Sequence, residues 1–463
     1  MLNAAVVEAT RAYVDWLSQA IGRLLPRARL FVVQSTGGML PAEAVCSMPL
    51  TTVMSGPAAG VAAVSRLARR RGMRYAAAFD MGGTSTDVSL IVDGVPAMAR
   101  SRTLGGHVVR LPSVGVESIA VGGGSIVAAD DVGALTVGPR SAGAVPGPAC
   151  YGLGGVEPTV TDAALLSGLI GAGGEVPGLH LRRELAEAAL AAVAEPMGLT
   201  PAELAWRAVD VAQSLMSRAL SNTVTRRGYD LRECTLVAYG GGGPVHAAPL
   251  AARIGIPRVL VPALAPVFSA LGCALAEVSI DAIRTHRCGL LDANLPALAA
   301  IAAELAASAT VRLGAPEDSV TVSVQLELRY QGQNAELPVP WPASHTATEL
   351  AASFRAAHER EYGFATDDPI EVMAVACRLV VDDTPEWPAT IRASGVASAE
   401  ERTTIVLPGG VRREVPVVAV GELSPTEALA GPAILATDFS SITVWSGQSA
   451  RVDEDGAVII EAS

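Results

Sequence analysis

Phe79 to Ile91 reads FDMGGTSTDVSLI, the strongest structural signal in the chain. An apolar run from Tyr75 to Phe79 ends at Asp80, Gly82-Gly83-Thr84 interrupt it, and a second apolar run resumes from Val88 to Val92. That order predicts strand, tight glycine turn, strand. Two adjacent glycines let backbone N–H groups approach an anion with no Cβ in the way, and Thr84 and Ser85 add hydroxyl donors to the same turn. Such a turn suits phosphate, and Asp80 at the strand end suits Mg²⁺, held directly or through water. A plain hairpin closed by Gly-Gly satisfies the same spacing. The residues alone leave both readings open.

Outward from this stretch, strands repeatedly run into small residues. Leu30 to Val33 reads as a buried strand ending in Ser35-Thr36-Gly37-Gly38. Ser55-Gly56-Pro57-Ala58-Ala59-Gly60 opens an Ala- and Val-rich helix whose start either presents N–H groups to an anion or packs tightly on a neighbour. Thr235 to Tyr239 is a strand leading into Gly240-Gly241-Gly242-Gly243-Pro244 and a helix to Ile254. Four glycines before a helix suit backbone lying flat against a nucleotide, with the helix N-terminus toward its phosphates. His246 in the first turn is either a ligand contact or a satisfied structural residue. Further tracts are Gly122-Gly123-Gly124-Ser125 and the loop-rich Val137 to Gly155, and Pro158 to Ala163 opens a helix in which Asp162 is a weaker candidate for the site. Thr200 as N-cap, Pro201 at the first position and Glu203 at the third predict a helix from Pro201 to Thr225.

A chain of 463 residues is long enough for two or three domains. The expected division is a first domain over 1–288, an α+β domain over 289–390 and a small β-rich domain over 391–463, with Pro385 to Pro388 and Ala393 to Glu401 as linker. Composition is 50% hydrophobic and 17% charged, and mean hydropathy is +0.38. The apolar windows are broken by Gly, Pro, Arg or Asp before the roughly 20 residues of a membrane span, so no membrane partner is expected. A net charge of −12 with no basic stripe argues against nucleic acid. Arg69-Arg70-Arg71 reads as a cationic helix C-terminus. Six scattered cysteines without a CxxC pair, and no secretory signal, fit reduced thiols in a cytoplasmic protein.

Taken together, SGPAAG at Ser55, FDMGGTSTDVSLI at Phe79, GGGSI at Gly122, GPRSAGAVPGPACYG at Gly138, PTVTDA at Pro158, RRGYDLRE at Arg226 and LVAYGGGGPVHA at Leu236 resemble the hydantoinase A / 5-oxoprolinase family. RYQGQ at Arg329 and HEREYGF at His358 extend the resemblance. It implies an α/β fold of the actin-like (ribonuclease H-like) ATPase type, followed by the smaller α+β and β-rich domains. It also implies ATP and Mg²⁺ (or Mn²⁺) as cofactors. Asp80, Gly82, Gly83 and Thr84 would form the second phosphate loop, joined by Ser85, while Gly240, Gly241, Gly242 and Gly243 line the adenosine side. Asp80 would be the metal-side carboxylate, and Asp87 the second catalytic candidate, holding a ligand-side water or capping the turn.

The activity implied is ATP-coupled opening of a small cyclic amide, a lactam or hydantoin, together with a hydantoinase B-type subunit. The same resemblance leaves open a subunit of an ATP-dependent ketone carboxylase, a non-catalytic structural subunit or a truncated member. Full-length relatives begin with a lobe carrying a first Asp-x-Gly-Gly-Thr loop, whereas this sequence has one such loop, so a separate N-terminal lobe polypeptide is a further expected partner. Gly115, Glu117 and Ala164 stand where the family usually carries other polar residues.

Overall fold

The structure is a computed structural model that describes residues 2–99, 101–109, 111–171, 180–382, 385–388 and 401–462. Contacts divide the chain into two interleaved units: 1–55 with 275–386, and 56–274 with 387–463. The boundary expected at 390–391, and most of the linker expected over Ala393 to Glu401, lie outside the described residues.

The second unit is built on a nine-stranded sheet. Its strands include β1 (Tyr75–Met81), β2 (Thr86–Val92), β3 (Val116–Ile119), β4 (Thr235–Tyr239), β5 (Arg258–Val261), β6 (Gln448–Val452) and β7 (Val458–Ala462), in the order β3-β2-β1-β4-β5-β7-β6. The first three are antiparallel, whereas β1, β4 and β5 run parallel. This three-plus-two arrangement is the actin-like core. Ala76, Ala77, Ala78 and Phe79 are fully or almost fully buried, as a continuous apolar run in a strand covered on both faces should be.

The covering helices are α1 (Ser55–Arg70), α2 (Val160–Leu166), α3 (Pro201–Thr225), α4 (Gly243–Ile254) and α5 (Phe268–Leu275). On one face Thr86 hydrogen-bonds Met216 of α3, and Met81 packs against Gly242 at the start of α4. On the other, the Tyr239 ring packs at a tilt against Phe268 of α5 and closes against Gly60 of α1. Helices α1 and α5 touch through backbone: an alanine Cβ at Gly272 would lie 2.6 Å from the Ala59 carbonyl carbon. Gly272→Ala is therefore expected to lower the melting temperature of this unit by about 5–10 °C, the equivalent of about 3 kcal/mol. Gly56→Ala, where a Cβ meets nothing within 4 Å, serves as the control and should leave it unchanged or raise it.

The arginine cluster ends α1 as expected, and it also anchors the unit's C-terminal segment: Arg70 pairs with Asp455, and Arg71 with Asp453 and Asp455.

The first unit carries an antiparallel sheet in the order Ser279–Gly289, Ile370–Val381, Val320–Tyr330, Leu337–Pro340, with helices Leu295–Leu313 and Ala347–Tyr362 packed on it. One stretch, Asp292–Leu313, is long and apolar enough by length and composition to cross a membrane, contrary to the sequence expectation. Its apolarity is largely alanine, and Leu298, Ala302, Leu305, Ala309 and Leu313 form one buried stripe in this unit's core. The RYQGQ and HEREYGF motifs meet here. The His358 ring sits among Tyr330, Phe354, Tyr362 and Phe364, bonded to the Phe364 carbonyl at 2.8 Å and to Gln333 at 3.3 Å. These motifs serve the packing of this unit.

Candidate functional site

Strands β1 and β4 are parallel neighbours, so their carboxyl ends lie side by side and each ends in a glycine turn. Gly82 closes the first turn by donating to the Ser85 carbonyl at 3.0 Å. The second is tied to it, with Gly242 N–H donating to the Met81 carbonyl at 3.0 Å, and α4 starts at the next residue. Gly240 has φ +78°, and any Cβ there would collide with the Asp80 carboxylate, so this glycine is a requirement of the fold.

The Gly122–Gly124 tract holds the first turn from behind. Gly123 donates to the Gly82 carbonyl at 3.0 Å and Gly124 to the Gly83 carbonyl at 2.6 Å, while the Thr161 amide and hydroxyl both bind the Gly123 carbonyl. The Gly82 and Gly83 carbonyls are thereby occupied. Among the described residues, the backbone amides of Gly83 and Thr84 have no acceptor.

These turns border a cavity of about 460 Å³, within the range of small-ligand sites. Hydrogen bonds set its walls in sequence: the Thr437–Ser441 segment meets Gly241 through the Ser440 hydroxyl at 3.0 Å, Gly242 meets Met81, Gly82 meets Gly123, and Gly123 meets Thr161. Beyond Thr161 the wall becomes apolar, with Tyr151, Ala164, Ile170 and Leu181. Of the residues singled out from sequence, Gly82, Gly83, Thr84, Gly241, Gly242 and His246 line this cavity; Asp80, Ser85, Asp87, Gly240, Gly243 and Asp162 do not.

Asp80 and Asp87 are directly opposite one another in the β1–β2 ladder. Strand alternation turns Asp80 to the face opposite Met81, away from the cavity lining and toward α5, where it accepts a hydrogen bond from Ser269 at 3.3 Å. Burial, then the nearby Asp87 charge, pushes the Asp80 carboxyl up to about 6, with Ser269 opposing. Burial raises Asp87 as well, opposed by its hydrogen bond from Ser118 and by Arg102. Two carboxylates that resist ionising side by side match a hard divalent cation, which takes one or two carboxylates and completes its shell with phosphate and water. Among the described residues no group of three or more His, Cys, Asp or Glu side chains forms an all-protein metal cage.

Asp162 is fully buried and structural: it completes a capping box with Thr159 and accepts from the amides of Ala149 at 3.2 Å and Cys150 at 2.7 Å. His246 is buried, bonded to Gln213 at 3.3 Å, and burial lowers its pKa to about 4, so it is neutral at pH 7. Of the three family departures, Glu117 is bonded to Thr223 on α3 at 3.1 Å and Gly115 abuts Arg227, whereas Ala164 lines the cavity. Sequence reading missed the Thr437–Ser441 wall. The only signal was a short polar turn between two apolar runs, about 200 residues from the turn it meets.

The hydantoinase/oxoprolinase family model matches residues 1–282. The chain is 31% identical to an uncharacterized protein of Methanocaldococcus jannaschii over 94% of its own length, and 30% identical to caprolactamase subunit alpha of Pseudomonas jessenii over 95%. It spans 65% of the length of each of those two proteins. The solved structure of the ATP-dependent caprolactamase from Pseudomonas jessenii superposes with a TM-score of 0.82 at 28% identity, covering 100% of this chain and 69% of that one. By sequence and by fold, the chain belongs to the hydantoinase/oxoprolinase family.

Proposed function

We propose that this chain binds ATP with Mg²⁺ at the paired glycine turns and serves as the nucleotide-handling component of an ATP-dependent cyclic amidase, acting on a lactam or hydantoin with a hydantoinase B-type subunit. One observation carries the reading. Gly83 and Gly241 do not have positive φ, and a Cβ at either would meet nothing within 4 Å, so the fold does not need glycine there. A ligand that lies against the backbone does. The free amides of Gly83 and Thr84 fit phosphate oxygens, and the α4 N-terminus adds its positive end.

When bound, the nucleotide supplies a phosphoryl group that makes an amide carbon reactive toward water. The chain's own contribution is positioning and charge neutralisation. Gly83, Thr84 and Gly241 orient phosphate; Asp80 and Asp87, behind the turn and outside the cavity lining, would act on a phosphate-bound cation through water; the apolar wall of Tyr151, Ala164, Ile170 and Leu181 takes an uncharged ring and excludes water. The described caprolactamase relative supports a cyclic amide as the substrate class.

Calorimetry with ATP and Mg²⁺ tests this. Gly83→Ala and Gly241→Ala are each expected to weaken binding about tenfold or more with no change in melting temperature. Unchanged affinity in both, or no binding by the parent chain, would overturn the reading. ATP consumption that rises on adding a lactam or hydantoin with a B-type subunit would then identify the acceptor.

A further inference from the structure

We infer that Phe439, with the small apolar slot beside it, receives the planar base of the nucleotide. The inference rests on the nucleotide reading above and assigns a subsite that the glycine turns leave undefined. Thr437, Asp438, Phe439 and Ser440 are shared walls of two cavities: the one holding the glycine turns, and a second of about 120 Å³. That second cavity is lined by Pro244, Val261, Leu264, Val267 and Ile442 among others, and its character is apolar. It suits an uncharged ring and not a phosphate.

Phe439 itself is 56% exposed. A large apolar side chain left in water gains nothing for the fold, yet this one is held there by a rigid turn. The Thr437 hydroxyl accepts from the Ser440 amide at 2.9 Å and from the Phe439 amide at 3.4 Å, and it donates to the Ser440 carbonyl at 2.7 Å. Ser440 then fastens the turn to the Gly241 carbonyl at 3.0 Å. The turn thus holds Phe439 beside the second glycine turn, in the lining of both cavities. A base stacked on Phe439 leaves its phosphates to run across Gly241–Gly242 toward Gly83 and Thr84. This divides the cavity by chemistry: base at one end, phosphates over the glycines, amide ring at the other.

The test compares ATP with inorganic tripolyphosphate, each with Mg²⁺, on the parent chain and on Phe439→Ala, Phe439→Leu and Phe439→Trp. The parent should bind ATP at least about tenfold more tightly than tripolyphosphate. Phe439→Ala and Phe439→Leu should lose about tenfold for ATP alone, with Phe439→Trp retaining parent affinity. ATP affinity unchanged in Phe439→Ala or Phe439→Leu, a parallel loss for tripolyphosphate, or no preference for ATP in the parent would overturn the base subsite while leaving the phosphate cradle standing. A parent chain that binds neither ligand would overturn both.

Discussion

Asp80→Asn is expected to stabilise the protein at pH 8 while abolishing Mg²⁺-dependent nucleotide binding. The folded-state pKa of Asp80 is raised from its ordinary 3.8 to about 6 by burial and by Asp87. Its contribution to stability is therefore fully present below about pH 4 and is lost as pH rises through 6, because the folded state must then hold a charge it disfavours. A shift of about two units corresponds to about 2–3 kcal/mol. Asparagine keeps the shape and a hydrogen-bond acceptor for Ser269 but carries no charge. With a chelator present, the melting temperature of the variant should exceed that of the parent at pH 8, and the two should converge by pH 4. Mg²⁺ with ATP should raise the melting temperature of the parent and not of the variant. A variant less stable than the parent at pH 8, or one that still binds Mg²⁺·ATP at parent affinity, would remove Asp80 from the site.

Gly122→Ala tests the scaffold behind the phosphate turn. An alanine Cβ would lie 2.7 Å from the Ser85 amide nitrogen and 2.8 Å from the carbonyl carbons of Gly83 and Thr84. All three are backbone atoms, so no side-chain rotation relieves the clash, and the turn must move away from the tract. Separation strains or breaks the two hydrogen bonds from Gly123 and Gly124, for a loss of about 2–4 kcal/mol. Displacement of the Gly83 and Thr84 amides by even about 1 Å should weaken ATP binding about a hundredfold. Thermal melting and calorimetry on the same sample check both effects. Their coincidence distinguishes this site from Gly83→Ala, where affinity falls and stability does not.

Both glycine turns and their flanking strands were legible because each is encoded within about a dozen contiguous residues. Thr200-Pro201 gave the start of α3 for the same reason: the Thr200–Glu203 capping box is local. What lay beyond reading was nonlocal. Asp162 looks like a site carboxylate in PTVTDA, and only its bonds to Ala149 and Cys150 show that it fastens a loop. The partnership of β7 with β5 joins residues about 200 apart, so nothing near Val458 announces that it belongs to the central sheet. Asp80 and Asp87 were grouped with the turn by residue type; the strand alternation that turns Asp80 away from Met81 places them behind it. The fold follows from local patterns, while the far wall and the separation of carboxylates from cavity follow from packing.

The late position of β6, β7 and the Thr437–Ser441 wall has a consequence for synthesis. A nascent chain that has left the ribosome as far as residue 300 already carries both glycine turns and β5, yet the β5 edge is unpaired and the cavity lacks one side. Such an edge invites pairing with other chains. The site is completed only when the Thr437–Ser441 segment and β7 join the sheet, so a released chain cut at residue 430 should fail to retain ATP that the chain carrying residues 431–462 holds.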